Sequence, residues 1–367
     1  MLLFEKKLFV LYIIFLIIFI LFTNTFYTFD QTLILNQHDG LSYMNIANSS
    51  YNFSQETLHY HHSQRFYLPY LIGLIGNTLN VDNYHVFRVF VYLSIMTVII
   101  FHSLIIFESK CSLKSAIIVS SLVLLNPYLI RFFISVPTMI NDIFFLAAVY
   151  IFIYGLFKKN FYIILGTILS LISRQTGLFL FIGCIFYLYK NKMFREILYV
   201  FVFFILILFL SNFYAQNTSV SGFNFKHLWG LFFSIYEKDL MYTVKWLLLP
   251  LYGYIPLILF AFTRKKIFIK NINTEKIILI FIFLSTIGIS ILAGPDMAIR
   301  NVIRQTVIVM PVLLIFFLYH SVPNNNKNNF LISEKVLLVL IFISSFHPVY
   351  SKIKIFESLR AITKMHY

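Results

Sequence analysis

The chain has 367 residues, of which 60% are hydrophobic and 19% aromatic, while only 12% are charged. A soluble domain of this length could not hide so much apolar surface from water, so the composition excludes a soluble globular protein and indicates an integral membrane protein. The formal net charge of +15 is partly accounted for by basic residues in short loops, which favours membrane topology over nucleic-acid binding as its cause.

Long apolar runs recur along the whole chain. Because a helix needs about 20 apolar residues to cross a bilayer, roughly eleven of these runs predict membrane-spanning helices rather than the strands of a barrel. Several are short enough to be tilted, broken or buried within the bundle. The predicted spans are 8–29, 84–107, 115–134, 142–157, 161–173, 175–189, 196–213, 243–262, 276–293, 304–320 and 334–350.

Basic residues predict the orientation of these spans. Lysine and arginine recur at every second boundary, beginning with Lys6 and Lys7 before the first span. Such enrichment is typical of cytoplasmic loops, so the amino terminus is predicted to lie in the cytoplasm. We therefore predict a multi-pass protein of the cell (inner) membrane whose first large loop, 30–83, lies on the periplasmic or extracellular face.

This first loop breaks the apolar pattern with the segment NQHDGLSYMNIA at 36–47. Asp39 precedes a short helical pattern, and one interpretation is that it simply caps that helix, since aspartate is strongly preferred at this position. Further along, FYLPYLIGLIG at 66–76 is too short and too rich in glycine and proline for a confident span. We expect it to lie along the membrane interface or to dip into it.

Charged residues also stand at the ends of later spans on the same predicted face, where burying a charge is expensive and commonly functional. For the arginines, snorkelling to the interface is the structural alternative. A carboxylate that accepts a proton from a hydroxyl, beside arginines that bind phosphate, is the chemistry of glycosyl transfer from a lipid phosphate. The residues concerned are Asp142, Arg174, Asp296, Arg300 and Arg304.

At these residues the chain resembles the GT-C superfamily, the membrane glycosyltransferases that use polyprenyl- or dolichyl-phosphate sugars, and in particular its mannosyltransferase-like members. The resemblance covers about the first half of the chain. It rests on four segments whose order and spacing are more specific than any one of them. These are HDGLSYMNIA, QRFYLPYLIGL, PTMINDIFFLAAVYIF and SRQTGLFLF.

The resemblance implies an all-α polytopic bundle with juxtamembrane helices in the first loop. It implies that Asp39 is the catalytic base and Asp142 a second acid at the site, with Arg65 and Arg174 as contacts of the donor phosphate. The chain is predicted to form one integral membrane domain, 1–367, with an N-terminal catalytic module at 1–213 that includes loop 30–83, followed by C-terminal helices at 214–367. The remaining candidates are Arg300 and Arg304 for the donor phosphate and His38 and Tyr43 for the substrate.

The expected partners are a polyprenyl-phosphate-linked sugar donor, a glycan or glycolipid acceptor and the membrane lipids, without nucleic acid. The chemistry needs no redox cofactor, and a divalent cation, Mg²⁺ or Mn²⁺, is left open. His59, His61 and His62 lack the spacing of helical zinc-binding histidine pairs, so we interpret them as part of a solvated or interfacial loop.

Two other functions are left open by the sequence. One is a polysaccharide polymerase or ligase of the O-antigen type, with which the spacing of Arg65 and Gly76 agrees. The other is a transporter or flippase of lipid-linked saccharides, in which charges would line a path across the membrane. Clustering of the polar residues on one predicted face favours the glycosyltransferase over the transporter.

Overall fold

A computed structural model describes residues 3–29, 39–54, 56–109, 111–158, 160–219, 226–237, 240–262, 264–267, 273–294, 301–323, 334–346 and 351–353. Helices dominate this part of the chain. In chain order they are α1 (Leu3–Asn24), α2 (Gly40–Asn48), α3 (Tyr60–Ser63), α4 (Tyr67–Leu79), α5 (Asn83–Glu108), α6 (Leu113–Leu124), α7 (Phe132–Ser135), α8 (Ile140–Phe157), α9 (Asn160–Ser173), α10 (Gly177–Lys190), α11 (Phe194–Thr218), α12 (Lys226–Glu237), α13 (Leu240–Phe262), α14 (Thr274–Leu292), α15 (Asn301–Val307), α16 (Met310–His320) and α17 (Glu334–Ser344).

Six helical segments are long and apolar enough to cross a membrane. They confirm the helical character of six predicted spans, and the architecture is that of a helical membrane protein. A seventh candidate is α13, which bends by 44° between Pro250 and Gly253. Three further apolar helices are shorter, so the total of roughly eleven crossings stays a prediction. The six are Phe4–Asn24, Asn83–Glu108, Leu113–Ser135, Pro137–Phe157, Phe194–Thr218 and Thr274–Leu292.

Burial separates central helices from peripheral ones. Nearly every side chain of α8 is buried, and α8 packs against α5 and α9. In contrast, α11 exposes large apolar residues along most of its length, among them Phe201, Leu206 and Phe209. Water would not tolerate such a surface, whereas lipid would, so α11 is expected at the lipid-facing side of the bundle.

Short antiparallel ladders accompany the helices. Strand β1 (Tyr27–Phe29) pairs with β4 (Ser351–Ile353), and β2 (Arg264–Ile267) pairs with β3 (Ser321–Pro323). Because Tyr27–Phe29 forms a strand, the first helix ends at Asn24. The predicted first span, 8–29, therefore extended five residues too far. Threonine and aromatic residues dominate after Asn24, and these residue types favour an extended strand.

The first loop folds into α2, α3 and α4, as the sequence predicts for a loop with short helices. Close approach of α2 and α4 requires Gly73, because a Cβ there would overlap the carbonyl oxygen of Ala47. The crossing of α8 and α9 is similarly tight, since a Cβ on Gly166 would lie 2.6 Å from the nitrogen of Phe152. The two glycines thus allow α2 to pack closely on α4 and α8 to pack closely on α9.

Candidate active site

Asp39 lies immediately before α2, at the N-cap position, but its side chain makes no capping hydrogen bond. The carboxylate instead faces the segment that joins α3 to α4. Its Oδ1 lies 3.3 Å from Nε2 of His62, and its Oδ2 lies 3.2 Å from Nη1 of Arg65. The hydroxyl of Tyr43 donates to the same Oδ2 at 3.4 Å. Because 14% of the Asp39 side chain is exposed, the carboxylate is accessible to a small group from outside.

Helical spacing explains why these side chains meet. Asp39 and Tyr43 are one helical turn apart, and so are His62 and Arg65, which places each pair on one face. The Oγ of Ser42, on α2, lies 2.9 Å from Nδ1 of His62. Both ring nitrogens of His62 therefore have partners, which fixes the orientation of the ring beside Asp39.

Tyr43 is a buried hydroxyl within this group, with 1% of the residue exposed. Burial raises the pKa of Tyr43 to about 12, and the carboxylates of Asp39 and Asp142 add to this effect while Arg65 opposes it. The phenol therefore stays protonated at neutral pH and acts as a hydrogen-bond donor to Asp39.

The Arg65 guanidinium forms hydrogen bonds with several groups of the site. Burial disfavours its charge, but Tyr43, Asp39 and Asp142 outweigh burial, so the pKa of the guanidinium is raised. Its Nη1 binds Asp39 and Tyr43, and its Nε donates to Oε1 of Gln175 at 2.5 Å. Within the described part of the chain its Nη2 makes no hydrogen bond, which leaves two N–H groups for a ligand.

A second acid and a second arginine lie deeper. Nη1 of Arg174 donates to Oδ1 of Asp142 at 2.6 Å, and only 5% and 2% of the two side chains are exposed. The guanidinium carbon of Arg174 also lies 5.9 Å from the centre of the Phe145 ring. The structure thus joins two residues for which the sequence suggests no one-to-one partner.

The two acid–arginine pairs belong to one site. Asn141, which precedes Asp142 and is fully buried, donates from Nδ2 to the backbone carbonyl of Arg65 at 3.1 Å. The charge of Asp142 also acts on both Arg65 and Tyr43. Two carboxylates and two guanidiniums therefore balance in charge where the first loop meets the start of α8 and the end of α9.

Sequence reasoning did not identify Gln175, Asn141, Ser42 or the contact of His62 with Asp39. A signal was present for His62, because its spacing from Arg65 predicts a shared helical face. No local signal predicts the contact of Gln175 with Arg65, since the two residues are 110 positions apart.

Some predicted site residues lie outside the described part of the chain. His38 and Arg300 are among them, as is Asp296. Arg304 lies in α15, but its side chain is not among those described. Their predicted roles in substrate and phosphate binding stay predictions.

A protein metal site needs several carboxylate, imidazole or thiolate ligands close together. Among the described residues, no three His, Cys, Asp or Glu side chains come together in a way that could hold a metal ion. Asp39 is surrounded by hydrogen-bond donors rather than by further carboxylates. The described residues therefore provide no such ligand set for the divalent cation left open by the sequence, and its involvement stays a prediction.

These features define a polar site in a helical membrane protein, with two carboxylates and two guanidiniums among the described residues. The chain matches no protein-family model, no curated protein and no solved structure.

Proposed function

We propose that the protein is a membrane glycosyltransferase of the GT-C type, which transfers a sugar from a polyprenyl-phosphate donor to a glycan or glycolipid acceptor. One observation carries the proposal. An accessible carboxylate, Asp39, shares a site with Arg65, a guanidinium that retains two N–H groups for a ligand. A base and an anion-binding group side by side suit transfer away from a phosphate leaving group.

In the proposed reaction the acceptor hydroxyl oxygen attacks the anomeric carbon of the donor sugar and forms a new carbon–oxygen bond. The bond between the anomeric carbon and the phosphate oxygen breaks, and its electron pair stays on the polyprenyl phosphate. The proton of the acceptor hydroxyl passes to Asp39. Attack from the face opposite the leaving group inverts the anomeric configuration.

The other groups of the site have supporting roles in this proposal. Arg65 stabilises the negative charge that grows on the departing phosphate. Its Nη1 binds Asp39, while its Nη2 makes no hydrogen bond to the described residues and can bind the phosphate. His62 and Tyr43 orient the Asp39 carboxylate from two sides. Deep burial favours a structural role for Asp142 and Arg174, which would hold the start of α8 to the end of α9 by their ion pair; direct contact of either with substrate stays a prediction.

The proposal also predicts on which side of the membrane the site lies. With the amino terminus in the cytoplasm, the end of α1 and the start of α2 would lie on the periplasmic or extracellular face. Asp39 would then act on lipid-linked sugars exposed on that face. Cell-envelope glycans or glycolipids are the acceptors that such a position suits best.

Transfer can be tested with protein purified in nanodiscs. Wild type would be incubated with each of a panel of radiolabelled polyprenyl-phosphate sugars and an envelope-lipid extract, and label in the product would be counted. We expect transfer from at least one donor and an inverted anomeric centre by NMR.

Two variants complete this test. Asp39→Asn should bind the active donor and transfer no label. Asp82→Asn is the matched control, because Asp82 is an exposed residue that caps α5 by accepting from the nitrogen of Tyr84, and asparagine caps equally well. Failure of wild type to bind or use any donor would contradict the proposal and favour the polymerase or the transporter.

A further inference from the structure

A line of side-chain amides runs away from Arg65 across the surface of the site. The Nε of Arg65 donates to Oε1 of Gln175 at 2.5 Å, and Nε2 of Gln175 donates to Oε1 of Gln64 at 3.2 Å. Nε2 of Gln64 then donates to Oδ1 of Asn212 on α11 at 3.1 Å. The hydroxyl of Tyr60 donates to the same oxygen at 3.0 Å. We name Gln175, Gln64, Asn212 and Tyr60 the amide chain.

Three hydrogen bonds of the amide chain run in one direction away from Arg65, while Nε2 of Gln175 also donates to the backbone carbonyl of His61 at 2.9 Å. Each amide accepts through its oxygen from the side nearer Arg65 and donates through its nitrogen to the next. Such aligned bonds polarise one another, beginning from the charge of Arg65. The amide chain ends at Nδ2 of Asn212, whose N–H groups have no acceptor among the described residues.

Exposure sets the amide chain apart from the packed core. Its hydrogen bonds lie at the surface, and Gln175 and Asn212 are both exposed. Exposed hydrogen bonds exchange readily with water and stabilise a fold little. Along α11, Asn212 follows Phe209 and precedes Phe213, whose side chains are 65% and 50% exposed. A polar residue in such a place is costly unless it has a role beyond packing.

We propose that the amide chain binds the hydroxyl groups of a sugar. Each sugar hydroxyl both donates and accepts, as an amide does, so a row of amides can exchange its internal bonds for bonds to a saccharide. The ring of Tyr60 adds an apolar surface of the kind that packs against a sugar ring. Because amides are neutral, the amide chain would bind the uncharged sugar, whereas Arg65 would bind the charged phosphate. This inference deepens the proposed function and rests on it for the class of ligand.

Binding can be measured without any transfer activity. Wild-type protein would be placed in phospholipid nanodiscs, since maltoside detergents would themselves present sugars. Saturation-transfer-difference NMR would be recorded with methyl glycosides of glucose, galactose, mannose and N-acetylglucosamine. We expect a signal for at least one glycoside, reduced fivefold or more in Asn212→Leu and in Gln64→Leu.

The matched control lies on the same helix. Asn217 is exposed and donates only to the carbonyl of Phe213, so Asn217→Leu should leave the signal unchanged. Asn212→Leu replaces a polar side chain on an exposed face of α11, and size-exclusion chromatography would establish that it stays monodisperse. No signal for any glycoside with wild type, or an equal signal in Asn212→Leu, would overturn the inference.

Transfer kinetics separate this inference from the proposed function. If wild type transfers a sugar and Asn212→Leu has the same KM and the same choice of sugar, the amide chain is not a sugar site although the function stands. If wild type binds a glycoside through Asn212 but uses no polyprenyl-phosphate donor, the sugar site stands and the proposed function fails.

Discussion

Asp39 and Asp142 are both bound by arginine, yet they differ in exposure and in the length of their contacts. Asp39 has longer contacts, 3.2 to 3.4 Å, with Arg65, Tyr43 and His62, and 14% of its side chain is exposed. Asp142 has a short contact of 2.6 Å with Arg174, and 2% of its side chain is exposed. The two acids that resemblance assigns to one reaction therefore occupy different environments.

This difference indicates a division of roles. A base must reach the proton that it accepts, and only the Asp39 carboxylate combines exposure with several adjustable contacts. A buried ion pair, in contrast, is hard to open, because each charge left alone would be desolvated. We infer that Asp39 performs chemistry and that the ion pair of Asp142 with Arg174 supports it.

The largest effect is expected for Asp39→Asn. Removal of the base should reduce the initial rate of sugar transfer by about 10² to 10⁴-fold, while the thermal midpoint of unfolding stays close to wild type. Asp39→Glu, which keeps the carboxylate but displaces it, should retain part of the rate. If Asp39→Asn transferred sugar at the wild-type rate, Asp39 would not be the base, and the proposed difference in role between Asp39 and Asp142 would be wrong.

Asp142→Asn should show the opposite pattern. It removes the carboxylate charge that binds the buried Arg174 guanidinium, and breaking such a buried pair typically costs about 3 to 5 kcal/mol of unfolding free energy. Thermal unfolding in nanodiscs, followed by circular dichroism, would measure the loss. Replacing both residues, as Asp142→Leu with Arg174→Met, should recover much of it. If the double variant is as unstable as the single one, the ion pair is not the source of the stability.

Arg65→Lys should have an intermediate effect on transfer. Lysine keeps the charge but cannot contact Asp39, Tyr43 and Gln175 together, as the guanidinium does through Nη1 and Nε. Loss of a charged hydrogen bond suggests a rate lower by roughly 10 to 100-fold. Steady-state kinetics with the active donor would measure it. Arg88→Lys, at a cation that stacks on Tyr84 away from the site, should leave the rate unchanged.

Tyr43→Phe should have the smallest effect of the four variants on stability, and its signature is a difference from wild type that appears at alkaline pH. Burial raises the pKa of Tyr43 to about 12, whereas an unfolded tyrosine ionises near 10. The folded state thus favours the neutral phenol, and the resulting stability is present below pH 10 and is lost as pH rises toward 12. Between pH 9 and pH 11, wild type should lose about 1.4 kcal/mol more than Tyr43→Phe.

Urea titrations at the two pH values would give this difference. Tyr236→Phe removes a phenol that is 90% exposed and is the control. If wild type and Tyr43→Phe lose the same stability, the phenol of Tyr43 is not held in its neutral form by the site.

Hydropathy alone predicts the helical class, because long apolar runs without charge leave a chain few other solutions in a membrane. It also places six of the membrane-length helices, with ends that shift by a few residues. The end of α1 was misplaced because Tyr27–Phe29 is apolar enough to resemble a continuing helix, while its pairing with Ser351–Ile353 depends on residues far along the chain.

The candidate site is only partly predictable for the same reason. Asp39, Tyr43 and Arg65 lie in one loop and were selected together. The pairing of Asp142 with Arg174, and of Arg65 with Gln175, depends on how α8, α9 and α3 pack, which no local pattern encodes. Asp39 also illustrates how a residue can occupy an N-cap position while its side chain serves another purpose.

The most direct test compares Asp39→Asn with Asp142→Asn in one transfer assay. Initial rates would be divided by the amount of folded, monodisperse protein, so that loss of stability does not count as loss of chemistry. We expect Asp39→Asn to be much the slower of the two per folded molecule. Equal rates, or a slower Asp142→Asn, would contradict the assignment of Asp39 as the base.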